Sequence, residues 1–152
     1  CVVRDKANEF VDKASEFDAY IIGSPVHYGS ASGVVVPFLD RAFFSAFLGG
    51  RQIFRHKPGS VIVSARRAGT TATIDQLNKY FHIAEMPVVS GRYWNMVHGT
   101  SPEEVKQDKE GMQNMRILAK NMAYVLKCKE AAAQAGILPP EAEAIEFTNF
   151  IR

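Results

Sequence analysis

The sequence predicts an α/β protein built on a parallel sheet. Three short apolar runs, at residues 18–22, 60–65 and 87–90, alternate with helical patterns along the chain. That alternation is the sequence order of βαβ units. The runs are apolar at consecutive positions, as strands covered on both faces are. Each leads into a stretch rich in glycine, serine, threonine or aromatic residues, and open parallel sheets place ligands at the carboxyl ends of their strands.

The elements follow in order. Asp5 can cap a helix running to about Phe17, with Ala7, Phe10, Val11 and Ala14 on one face. The strand at 18–22 stops at Gly23-Ser24-Pro25 and gives way to a small-residue loop reaching Gly33. A helix over 34–48 carries Pro37 in its first turn, where proline is tolerated, and ends at Gly49-Gly50. Its phenylalanines, Phe38, Phe43, Phe44 and Phe47, exceed one helical stripe and point to a deep core or a subunit contact. After the turn Lys57-Pro58-Gly59 comes the strand 60–65, then the loop 66–71 and a helix over 72–84 burying Ile74, Leu77, Phe81 and Ala84. Residues 87–90 form the third strand and 91–99 the third loop, so the three loops should lie side by side along one sheet edge. Ser101-Pro102 starts a further helix, and a long one over 108–134 presents Met112, Met115, Leu118, Met122, Val125 and Leu126 at helical spacing. The segment after Pro139-Pro140 is irregular and acidic.

Composition narrows the function classes. A chain of 152 residues suits one domain, and a net charge of +2 gives no footprint for nucleic acid or an acidic membrane. Two cysteines without CxxC spacing suit a reducing, cytoplasmic setting and make no zinc site. No apolar run reaches the about 18 residues of a membrane span. Ser24 is followed by Pro25 and lacks a nucleophile elbow, and phosphate loops of the GxxxxGK type are missing.

The loops suit a planar cofactor. Gly23, Gly29 and Gly33 admit close backbone approach, while Ser24, Ser30 and Ser32 offer hydrogen bonds. A flavin ring needs donors along its pyrimidine edge, a positive group for its reduced state and one open face. Arg66 and Arg67 supply charge, or are simply solvated. His27 can donate, and Tyr28, Tyr93 and Trp94 can cover ring faces, although a tryptophan such as Trp94 is more often a core or interface residue than a stacking platform.

These motifs in order resemble the NADPH-dependent FMN reductase branch of the flavodoxin-like family. The matching residues are 23–33 (Gly-Ser-Pro-Val-His-Tyr-Gly-Ser-Ala-Ser-Gly) with Phe38-Leu39-Asp40-Arg41. Ser64-Ala65-Arg66-Arg67-Ala68-Gly69, Leu77-Asn78-Lys79-Tyr80-Phe81, residues 93–99 and the closing Thr148-Asn149-Phe150-Ile151-Arg152 extend the match. The resemblance implies a doubly wound sheet of order 2-1-3-4-5, in which this chain carries strands 3-4-5. It implies FMN held by Ser24, Pro25, Val26, His27, Tyr28, Gly29, Ser32, Gly33, Ala65, Arg66, Arg67, Gly69 and Thr70. No side chain need act as acid or base, because the flavin carries the hydride between NAD(P)H and a quinone, free flavin or similar small-molecule acceptor. Homodimers or homotetramers are expected, with no nucleic-acid or membrane partner. An electron carrier or an iron–sulfur flavoprotein without NAD(P)H turnover is the alternative. The family's phosphate-gripping first loop precedes the segment resembling Cys1-Val2-Val3-Arg4-Asp5. Roughly the first third of a single domain is therefore expected to be missing here, and Cys1 to stand where the last member of an upstream cysteine cluster would.

Overall fold

The computed structural model describes residues 5–148 and 150. Cys1 and residues 149, 151 and 152 of the closing motif lie outside the described residues. Helix α1 (Lys6–Lys13) is capped by Asp5, whose carboxylate accepts from the Ala7 amide at 3.0 Å. It stops short of Phe17, and the carbonyl of its C-cap residue, Ala14, is satisfied from outside the helix. The Tyr20 hydroxyl and Lys57 Nζ both donate to the Ala14 carbonyl, and residues 14–16 tighten into a 3₁₀ turn.

Strand β1 (Tyr20–His27) runs parallel to β3 (Gly59–Ala65), with Tyr20 opposite Gly59 and Pro25 opposite Ser64. It does not stop at Gly23-Ser24-Pro25 as expected. It continues to His27, turns at Tyr28-Gly29 and returns as the two-residue β2 (Ser30–Ala31). Both turn residues have positive φ, 52° and 76°, the left-handed twist that two-residue hairpin loops require. Strand β4 (Met96–His98) pairs in parallel with the end of β3, giving the order β2-β1-β3-β4. The parallel run β1-β3-β4 occupies the positions of strands 3-4-5 in the expected flavodoxin-like order.

The third strand is displaced from its expected place. Of residues 87–90 only Val88 bridges to Gly59. The chain then bulges outward and resumes pairing at Met96, so 91–99 is not one loop. Buried amides stabilise the bulge. Asn114 Oδ1 accepts from the Arg92 and Tyr93 amides (2.7 and 3.0 Å), and its Nδ2 donates to the Tyr93 and Trp94 carbonyls. Asn95 joins the Gly91 amide to the buried Ser60 hydroxyl, which donates to the Val89 carbonyl. Backbone groups that would have paired in a strand are satisfied by side chains instead.

Helices α2 (Val35–Leu48) and α3 (Thr70–Ile83) fall close to their expected spans and pack with α1 on one sheet face. That core includes Leu39, Ala42, Phe54, Val61, Val63, Leu77 and Phe81. On the other face, α5 (Lys109–Gln134) buries Leu118 and Met122 against Val89 and Ile62. This second layer is narrow. Ile21 of β1 stays 50 % exposed, so the expectation of a strand covered on both faces fails for β1 among the described residues. The short α4 (Pro102–Gln107) is separated from α5 by Asp108. Asp108 caps α5 through the Gly111 amide and accepts from the His98 amide on β4, closing an otherwise open sheet edge.

Candidate functional site

The carboxyl ends of β1 and β3 bring two of the three predicted loops into contact. A Cβ on Gly69 would lie 2.8 Å from Gly29 Cα and 2.8 Å from Val26 Cγ1, so only a bare glycine lets the loops touch. Gly69 holds φ +90°, a conformation that costs little without a side chain. On their outer side the loops are open. A Cβ at Gly29 or Gly33 would meet nothing within 4 Å.

Helix α3 begins at this junction with no side-chain cap. Its first amides form a donor cluster that favours electron-rich groups. Ala65 and Thr70 are buried beneath the junction; Arg66 and Arg67 are exposed above it. Arg66 lies near Glu104, whose carboxyl is held below the usual range chiefly by the Thr100 backbone amide, with Arg66 adding a smaller share.

On the β1 side, His27, Tyr28, Gly29 and Pro25 are exposed, and Tyr28 extends freely from the hairpin tip. Val26 is half-buried against Gly69. Ser24 is 4 % exposed, and its hydroxyl is used internally: it accepts from the Ser32 amide at 2.9 Å and donates to the Pro25 carbonyl. Ser24 and Ser32 thus shape the loop, and Gly33 leads from it into α2.

The third predicted loop is only partly here. His98 and Gly99 reach the edge, where the Gly99 amide donates to the Ala65 carbonyl at 3.1 Å. Tyr93 and Trp94 belong to the bulge at residues 90–95, pack edge-to-face with centroids 4.2 Å apart, and stay half-exposed. They do not lie alongside the other two loops as expected.

One residue that holds the site together carries no local signal in the sequence. Gln76 on α3 accepts from the Ser30 hydroxyl at 2.7 Å and the Ala31 amide at 3.1 Å, tying the hairpin to the helix that starts at Gly69. Among the described residues no group of three or more His, Cys, Asp or Glu side chains could hold a metal, and Cys128 is exposed and free.

This arrangement has relatives. Residues 1–101 match the family described as NADPH-dependent FMN reductase. The chain belongs to that family. An iron–sulfur flavoprotein of Methanocaldococcus jannaschii is 32% identical over 133 residues, covering 84% of this chain and 68% of its own length. Among solved structures, the Trp repressor binding protein of Bacillus subtilis superposes with a TM-score of 0.60 at 18% identity, covering 79% of this chain and 70% of that one. An NADPH-quinone reductase from P. pentosaceus gives 0.52 at 16% identity, over 82% and 77%. At those identities the structures support the flavodoxin-like fold, and the family match carries the coarse activity of a flavin-dependent oxidoreductase.

The FMN reductase family's flavin fits what the loops offer. A flat ring needs a close backbone approach, which the bare Gly29 and Gly33 permit. Its electron-rich edge needs donors, which the uncapped start of α3 provides. No helix among the described residues is long and apolar enough to cross a membrane.

Proposed function

We propose that this chain holds the isoalloxazine ring of FMN in an NAD(P)H-dependent oxidoreductase that reduces a quinone, free flavin or similar small acceptor in the cytoplasm. The observation that carries the reading is the Gly29–Gly69 contact between two strand-end loops, with open space on its outer side and an uncapped helix start beside it. Gly29, Gly33, His27 and the amides following Gly69 would hold the ring. Bound FMN would supply the hydride-accepting centre. The protein's own part is orientation: Ser24, Ser32 and Gln76 fix the hairpin, and Gly69 sets its distance from α3. Arg66 and Arg67 add positive charge at the rim, which favours an anionic reduced ring or a nicotinamide-cofactor phosphate. FMN titration into the gently purified full-length protein, followed by stopped-flow mixing with NADPH, tests the proposal. Flavin absorbance that bleaches on mixing is the expected result. Failure to bind flavin refutes the ring-holding role, and binding without reduction by NADPH or NADH leaves an electron carrier.

The similarity to a protein named as an iron–sulfur flavoprotein favours a second reading, in which electrons reach the flavin from a cluster. Iron and acid-labile sulfide in the gently purified protein would support it. Their absence under anaerobic purification would remove it.

A further inference from the structure

Helix α5 ends in a turn that redirects the C-terminal segment. Gly136, at φ +76°, donates its amide to the Ala133 carbonyl while the Ile137 amide reaches the Ala132 carbonyl, the hydrogen-bond pair of a Schellman stop. Pro139-Pro140 then keeps the chain extended. Two cations fix the base of this segment to one connector. Lys129 of α5 donates to the His56 carbonyl, and the Arg55 guanidinium, paired with Glu85, donates to the Pro140 and Glu141 carbonyls at 2.9 and 3.3 Å. Arg55 grips backbone, so it sets where the chain runs whatever side chains follow.

Beyond this clamp the segment meets a groove of about 850 Å³ between α2 and α3, lined by Phe43, Phe47, Phe54, Tyr80, Ile83 and Ile145. The groove is underfilled. Phe44, Phe47 and Ile83 are 54–80 % exposed along it, and Ile145 and Phe147 of the segment are 63 % and 83 % exposed. Residues two apart on an extended chain share a side, so Phe147 follows Ile145 toward the groove, about 7 Å further on. We propose that residues 142–148 are a strap poised to close on their own chain. Pivoting beyond the carbonyls that Arg55 holds, the strap seats Ile145 and Phe147 in the groove and hides the apolar α2–α3 face. The clamp keeps this apolar pair within a few residues of the groove, at an effective concentration that no separate segment matches. Burying an exposed phenylalanine side chain shifts such an equilibrium by roughly 10- to 100-fold. Charge works the same way: Glu143 and Glu146 of the strap meet a rim that carries Arg51 and Arg55. Opening the strap uncovers an apolar patch of the kind that marks a binding surface, so the device controls whether that face is offered. The proposal is independent of what the strand-end loops bind.

Fluorescence of the full-length protein tests it. In a Trp94→Phe, Phe147→Trp variant the new indole should be shielded, and a strap closed about ten times as often as open lowers its quenching by acrylamide at least ~5-fold. Adding Phe47→Glu to the groove should restore the quenching. The shielding should survive dilution, because the contact lies within one chain. Phe147→Asp, at an exposed position that leaves the fold intact, should raise the fluorescence of the apolar dye ANS at least ~3-fold as the groove opens. An indole quenched as freely without Phe47→Glu as with it overturns the proposal. So does shielding lost on dilution, which would put the strap in another molecule's groove, or dye uptake indifferent to Phe147→Asp.

Discussion

Gly69→Ala is the sharpest probe of the loop junction. The new methyl must occupy space 2.8 Å from Gly29 Cα and from Val26 Cγ1, closer than Cβ atoms tolerate. At φ +90° an L-residue also carries backbone strain of about 1–2 kcal/mol. Overpacking adds about 1–3 kcal/mol, because one of the two neighbours is hairpin backbone and cannot rotate away. The sum, roughly 2–5 kcal/mol, corresponds to a melting temperature lowered by about 5–15 °C in a domain of this size. Gly29→Ala is the internal control. It has the same kind of strain at φ +76° but meets nothing within 4 Å, so it should cost only about 1–2 kcal/mol. Urea denaturation followed by circular dichroism reads both, and the difference between them isolates the contact between the loops. If Gly69→Ala proves no more destabilising than Gly29→Ala, the two loops do not touch in solution and the junction argument collapses.

Four further outcomes are expected. Gly33→Val, at a site with open space and ordinary backbone, should weaken FMN at least ~10-fold by flavin fluorescence while leaving the urea midpoint nearly unchanged. Gln76→Ala frees the Ser30 hydroxyl and Ala31 amide, and should lower FMN affinity together with hydrogen-exchange protection at Ala31. Asn114→Ala strands the Arg92 and Tyr93 amides and should cost about 2–4 kcal/mol in urea unfolding, with a shift in Trp94 emission as the bulge loosens. Tyr20 is pushed up from 10.0 to about 12, first by burial and then by the Asp18 charge. A raised folded-state value means its contribution is whole below pH 10 and is lost as pH climbs to about 12; Tyr20→Phe should flatten that alkaline fall in the urea midpoint.

How far the sequence reaches depends on where each hydrogen bond's partner lies. Strands β1 and β3 and helices α2, α3 and α5 are legible because their signals are local: apolar runs, a proline in a first turn, a helical stripe. The end of β1 is not. Gly23-Ser24-Pro25 reads as a strand breaker, but the Ser24 hydroxyl accepts from Ser32, eight residues on, and so supports a hairpin where a loop was expected. Strand β4 is hidden for the same reason at longer range. Residues 90–95 look like an extension of a loop because the side chain that satisfies them, Asn114, lies 22 residues from Arg92, inside a helix where it resembles any polar residue.

The same distinction separates the two halves of the site. The glycines were visible, since small residues after an apolar run mark a close approach whatever fills it. What fixes their spacing was not, because Gln76 reaches across 46 residues to Ser30. In this fold the surfaces that would meet a ligand are written locally in the loops, while the groups that hold those loops in position are written on the helices that follow. A change on α3 that touches no ligand, such as Gln76→Ala, should therefore act on binding as strongly as one in the loop itself. That is why binding and exchange protection must be measured together in that variant. Loss of binding with protection intact at Ala31 would mean that Gln76 acts on the ligand directly, not through the hairpin.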